Sequence, residues 1–121
     1  MSTTIQNLPE IRIGRDWLLQ VTEQTSLGHP RNMESYTVEL CIKYHVTDPD
    51  TNALFKSNTL YAPNLPFGHY GFHIPHTQTA NYSPSGSPAS YEIVYVDTEG
   101  FIGTRFAGQV PLTPSITIIV P

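Results

Sequence analysis

From Ser35 to Val46 the chain reads SYTVELCIKYHV, and every second position is apolar or aromatic: Tyr36, Val38, Leu40, Ile42, Tyr44 and Val46. The positions between them, Ser35, Thr37, Glu39, Cys41, Lys43 and His45, are polar or small. Side chains on an extended chain project alternately to opposite faces, so a period of two predicts a strand with one buried and one wet face. On a helix the same residues would scatter around the axis and form no stripe.

Shorter alternations flank this segment. Residues 11–25 predict one strand in which Trp17, Leu19 and Val21 oppose Leu18, Gln20 and Thr22, with Gly14 permitting a bend near its start. Residues 53–61 place Phe55 and Leu60 inward, and residues 67–74 set Tyr70, Phe72 and Ile74 against His69, Gly71 and His73. Residues 91–97 and 101–108 flank Asp97-Thr98-Glu99-Gly100, a hairpin signature in which Gly100 supplies the positive φ of a tight turn. Ser115 to Val120 predicts a last strand, apolar on both faces. Met1 to Asn7 has room for at most two helical turns before Pro9.

Seven short strands with Gly, Pro and Asn between them, and no sustained helical period, predict a single all-β domain over residues 1–121. The count fits an immunoglobulin-like antiparallel β-sandwich, and a jelly roll is the alternative built from similar strands. Trp17, the only tryptophan, is expected in the core between the sheets.

Composition narrows the function classes. The net charge is −4 and the six Lys and Arg are scattered, which argues against a nucleic-acid partner, since phosphate binding depends on clustered cations. Only 13% of residues are charged, against roughly 25% in ordinary soluble domains. Polarity therefore rests on Ser, Thr, Asn, Gln, Tyr and His. One cysteine, Cys41, excludes an intrachain disulfide. No stretch approaches the roughly 18 apolar residues of a membrane span. Nothing at Met1 to Leu8 resembles a signal peptide, so a cytoplasmic or non-classically secreted protein is expected. The sequon Asn81-Tyr82-Ser83 then reads as accidental.

Catalytic patterns are weak. His69, His73 and His76 lie in GHYGFHIPH, but His69 and His73 would stand roughly 13 Å apart on a flat strand, too far to share an ion. The His-x-His and glutamate of a cupin-type site are absent, so the histidines read as surface groups. Asp48, Asp50 and Asn52 have calcium-loop spacing but lack its glycine and closing glutamate. Cys41 shares its strand face with Lys43 and His45, which would activate a thiolate, yet no oxyanion turn follows it. No enzyme activity and no cofactor are expected.

The span PHTQTANYSPSGSPAS, residues 75–90, is long, uncharged and proline-rich, and such loops are functional or mobile. Tyr61, Tyr70 and Tyr82, with His76, Gln78 and Asn81, lie in or beside it. An aromatic face with neutral donors and acceptors is what a sugar ring needs, so these six residues are the candidate ligand site. On that reading Tyr82→Ala would abolish sugar binding and leave stability nearly unchanged.

Three segments, GHPRNMESYTV (residues 28–38), YEIVYVDTEGFIG (residues 91–103) and the terminal SITIIVP, together resemble the fungal immunomodulatory proteins over about a third of the chain. The resemblance implies an immunoglobulin-like sandwich, lectin-like binding of cell-surface glycans, and a homodimer formed by exchange of an N-terminal helix. This chain departs from that family in having Cys41 and five histidines, and in the Pro9 and Gly14 that interrupt the helix segment. The function expected is that of a non-enzymatic carbohydrate-binding homo-oligomer with a glycan or small sugar as partner. The alternatives are a self-assembling structural subunit and a cupin-like metal-dependent enzyme.

Overall fold

A computed structural model describes residues 2–84 and 87–115. Five strands form one sheet in the order β1 (Thr4–Ile5), β8 (Ile102–Val110), β7 (Ala89–Val96), β4 (Thr37–Lys43) and β5 (Phe55–Ser57). Opposite it, β3 (Trp17–Thr22) pairs antiparallel with β6 (His69–Ile74), and β2 (Ile11–Arg12) pairs parallel with β9 (Leu112–Thr113). The chain enters the small sheet at β3, crosses for β4 and β5, returns for β6, and crosses again for the β7–β8 hairpin. This interlocked connection, with β4 hydrogen-bonded to β7 and not to β3, makes the fold an immunoglobulin-like sandwich.

The long alternation becomes β4, with Val38, Leu40 and Ile42 buried and Glu39, Cys41 and Lys43 on the outer face. It stops before the pattern does. The His45 amide donates to the Asp48 carboxylate at 3.2 Å and the Asp48 amide to the His45 carbonyl at 3.0 Å, and this turn leaves Val46 77% exposed. Across the core, Trp17 and Leu19 of β3 and Tyr70, Phe72 and Ile74 of β6 meet Val38, Leu40, Ile42, Tyr91, Ile93 and Tyr95 in one cluster. Each large apolar side chain fully buried there contributes roughly 1.5–3 kcal/mol. Trp17 is core as expected, its indole N–H donating to the Pro9 carbonyl at 3.2 Å.

Large side chains on β7 face glycines on β8. Tyr95 pairs with Gly103 and Tyr91 with Gly108, and a Cβ on Gly103 would stand 2.5 Å from the Tyr95 hydroxyl. Those glycines let two tyrosines lie flat inside the hairpin. Tyr95 also meets Tyr36 edge-on, with ring centroids 5.9 Å apart.

Three expectations change. The strand foreseen over residues 11–25 is two strands, β2 and β3, parted by a turn in which Gly14 has φ 83°. The N-terminus is not helical: Thr4 and Ile5 pair parallel with Phe106 and Ala107, because extended backbone there completes the open edge of β8. That strand is held by its own chain, which leaves residues 4–5 no helix to exchange. The loop after β6 begins with a helical turn, α1 (His76–Thr79). Of the last predicted strand only Ser115 falls within the described residues.

Beneath β1 lies a buried ion pair. Glu23 is fully buried, and its carboxylate accepts from Arg105 Nε at 2.8 Å. The same guanidinium donates to the Ser2 carbonyl at 3.1 Å and the Thr4 hydroxyl at 3.0 Å and covers the Phe106 ring. Arg105 thus ties the N-terminal strand to a charge inside the sandwich.

Candidate functional site

The outer face of the small sheet is set by the β3–β6 register, which pairs Leu18 with His73, Gln20 with Gly71 and Thr22 with His69. Directly opposed residues share a face, so the side chains of Leu18, Gln20, Thr22, His69 and His73 project outward together. Gly71 leaves a gap in the middle of this face, and the segment after β5 crosses it. The Tyr61 amide donates to the Gly71 carbonyl at 2.7 Å, and Ala62 follows in left-handed backbone at φ 45°. A residue with a Cβ held there is strained, and it fixes how the segment turns away from β6.

Tyr61 is therefore 45% exposed, its ring centroid 5.8 Å from that of His73. Beside it lies a groove of about 180 Å³ bordered by Gln20, Thr22, Ala62 and His69. Thr22 Oγ1 is 3.3 Å from His69 Nδ1. Val21 and the buried Tyr70 also line it, so the groove offers one exposed phenol ring, that of Tyr61, with an amide, a hydroxyl and an imidazole.

The six residues singled out from sequence do not form one surface. Tyr61 stands as described. Tyr70 is 2% exposed at the inner face of β6, edge-on to Phe72, and burial, then the nearby Glu23 charge, raise its phenol pKa well above normal. Tyr82 is 7% exposed, its hydroxyl donating to the Leu54 carbonyl at 2.9 Å, and burial pushes its phenol up to about 12. Neither ring can stack on a ligand: the even positions of β6 point into the core, and the turn after α1 folds Tyr82 back onto β4 and β5. Gln78 is half-buried and donates to the same Leu54 carbonyl at 3.0 Å. Asn81 is exposed and donates to the Thr77 carbonyl at 3.3 Å.

His76 opens α1 beside Asp16. The Asp16 carboxylate accepts the His76 amide at 2.7 Å, and the same oxygen lies 3.2 Å from His76 Nδ1 and 3.4 Å from His73 Nε2. That backbone bond, reinforced by the two imidazoles, holds the Asp16 pKa below its usual value. The Thr79 hydroxyl donates to the Arg15 carbonyl at 2.8 Å and accepts from the Gly14 amide at 3.1 Å. The helical turn and the Gly14 turn are thereby locked together.

The remaining candidate chemistry is internally paired. Burial pushes the Cys41 thiol up, outweighing the lowering by Lys43, so the strand neighbours do not activate it. Lys43 Nζ donates to the Asp48 carbonyl at 2.8 Å and to the Asp50 carboxylate at 2.7 Å, placing the chain's own cation where the calcium-like spacing lies. Among the described residues, no group of three or more His, Cys, Asp or Glu is arranged to hold a metal ion.

Gln20, Thr22 and His69 border the groove; of these the sequence singles out only His69, and as a metal-ligand candidate rather than for sugar binding. Their alternation was legible, whereas the register that faces them together was not.

No family model matches the chain, and no curated protein matches it. Among solved structures it is similar to a chain of the crystal structure of ICOS in complex with ICOS-L and an anti ICOS-L VNAR domain, at a TM-score of 0.45 and 8% identity. The match covers 93% of this chain and spans 56% of that one. Among the described residues no helix is long and apolar enough to cross a membrane.

Proposed function

We propose that the protein is a non-enzymatic, lectin-like carbohydrate-binding module whose sugar site is the Tyr61 groove on the outer face of β3 and β6. The observation that carries this reading is the half-exposed Tyr61 ring set beside a neutral polar groove. An aromatic face takes the apolar side of a pyranose, while the Gln20 amide, the Thr22 hydroxyl and the His69 imidazole serve its hydroxyls. At about 180 Å³ the groove suits one sugar ring better than a long oligosaccharide. Among the described residues no charged side chain borders it, which favours a neutral sugar over a sialylated or sulfated one. The resemblance of residues 28–38 and 91–103 to fungal immunomodulatory proteins points toward glycans at cell surfaces.

The test is a glycan array with wild-type protein and Tyr61→Ala. Binding to a terminal neutral sugar that Tyr61→Ala abolishes is the expected result. An array without specific signal, or a signal that Tyr61→Ala leaves intact, overturns the reading.

A further inference from the structure

The β3–β6 register fixes which way the backbone of β3 faces. The Gly71 carbonyl accepts from the Tyr61 amide at 2.7 Å, and His69 exchanges both backbone bonds with Asn64, at 3.0 and 2.8 Å. The N–H and C=O of a residue in an antiparallel ladder point to the same side, so Gly71 and His69 turn theirs away from β3. Their partners Gln20 and Thr22, and Leu18 opposite His73, therefore turn theirs away from β6. Among the described residues no group bonds to the amides or carbonyls of Leu18, Gln20 and Thr22.

Neighbouring edges are closed. Residues 61–64 cover the far side of β6, and residues 4–8 run along β8. The outer edge of β3 is left open, and its sequence, WLLQVT, carries none of the usual guards of an edge: no charge, no proline and no bulge. Such an edge is a template for one more strand.

Beside it a gutter of about 190 Å³ opens between the sheets. Leu19 and Val21 of β3, Ile93 of β7, Phe106 of β8 and Leu8 line it, with Gln6 alongside. A strand laid along Leu18, Gln20 and Thr22 points every second side chain into this gutter. Its small volume suits valine better than an aromatic ring, and among the described residues no charged side chain lines it.

We propose that the free edge of β3 is a strand-addition site for an uncharged, extended peptide segment of another protein, with small aliphatic residues at every second position. A second copy of this chain does not fit there. Antiparallel pairing of two β3 edges requires a twofold axis perpendicular to the small sheet, which keeps both five-stranded sheets on one side of it. Gln6 and Leu8 flank the edge on that side, so the same residues of the two copies would collide. A lone segment has no second layer and meets no such obstruction. The peptide takes up backbone groups of β3, and the Tyr61 groove keeps its outward side chains.

The probe is the synthetic peptide acetyl-TVTVTVT-amide, titrated into the full chain and followed by amide NMR. Saturable binding that slows exchange of the Leu18, Gln20 and Thr22 amides by about tenfold or more is expected, since a bonded amide exchanges only when the strand opens. Methylating the threonine nitrogens of the peptide, which face β3 when the valines fill the gutter, removes the backbone bonds and keeps the side chains. Gln20→Pro removes the central donor of the edge and leaves the β6 ladder intact. Each change should weaken binding by about tenfold or more. The methylated peptide leaves the protein untouched, so its result stands whether or not Gln20→Pro folds. Overturning results are no binding at millimolar peptide, equal binding by the methylated peptide, or Leu18, Gln20 and Thr22 amides already protected in the peptide-free protein, as they would be if its own chain or a second copy covered the edge.

Discussion

Tyr61 donates its amide to the Gly71 carbonyl at 2.7 Å, and a Cβ on Gly71 would stand 2.7 Å from the Leu19 carbonyl oxygen and 3.2 Å from that of Tyr61. Both obstructions are backbone, so neither can swing aside. Gly71→Ala therefore has to displace either β3 or the Tyr61 segment, at a cost of about 1–3 kcal/mol by the measure of overpacked sites. Chemical denaturation should register that loss, and sugar binding should fall with it. Tyr61→Ala, by contrast, truncates a half-exposed ring and should leave stability within about 0.5 kcal/mol of wild type while removing binding. A Gly71→Ala variant as stable as wild type would show that the segment is not pressed against β6.

Period-two alternation carried most of the sandwich. Residues 35–46, 67–74 and 91–108 yielded β4, β6 and the β7–β8 hairpin, because a half-buried strand prints its two faces directly into sequence. Two-residue strands carry no such print. Thr4–Ile5 and Ile11–Arg12 are strands because β8 and β9 offer open edges, a relationship between distant segments. The candidate site was legible only in Tyr61 and in the outward face of His69 and His73. Tyr70 and Tyr82 misled because a tyrosine near a polar loop looks the same in sequence whether its ring is out or in. Only the Leu54 carbonyl, 28 residues from Tyr82, decides the matter by accepting its hydroxyl.

Tyr82 gives the sharpest reversal. With its ring in the core and its hydroxyl bonded to the Leu54 carbonyl, Tyr82→Ala should destabilise the protein by about 3–5 kcal/mol, the usual range for a large aromatic truncated in a core. Tyr82→Phe removes only the bond and should cost about 1 kcal/mol. Sugar binding by Tyr82→Phe should match wild type. Urea unfolding with a glycan-binding readout separates these outcomes, and a Tyr82→Ala protein of wild-type stability would return the residue to the surface.

The Glu23–Arg105 pair predicts a cycle. Arg105→Met leaves a carboxylate fully buried without its counter-ion and should cost about 3–5 kcal/mol. Glu23→Leu/Arg105→Met removes both charges and should recover most of that loss, since a buried pair replaced by packed apolar groups is often neutral or better. Because Arg105 also donates to Ser2 and Thr4, amide exchange at Gln6, whose N–H bonds to the Ala107 carbonyl, should quicken in both variants. Additive single and double losses would mean the two charges do not interact.

Asp16 supplies a pH dependence whose sign follows from its partners. The His76 amide bond, with the His76 and His73 imidazoles, holds the folded-state pKa below the roughly 4 of an unfolded aspartate. The unfolded chain therefore takes up this proton at a higher pH than the folded one. The stability contributed by Asp16 is complete above about pH 4 and declines as pH falls through the folded value, where protonation ends the charge-assisted bond. Asp16→Asn keeps an oxygen for the His76 amide but carries no charge. Below about pH 5 the gap in stability between wild type and Asp16→Asn should narrow as pH falls, steadily so below pH 4. Because α1 begins at His76, the same loss should appear locally, as faster exchange of the Ala80 amide that bonds to the His76 carbonyl. A gap that widens as pH falls below about 5 would mean the folded-state pKa is raised and that Asp16 is not held by the start of α1.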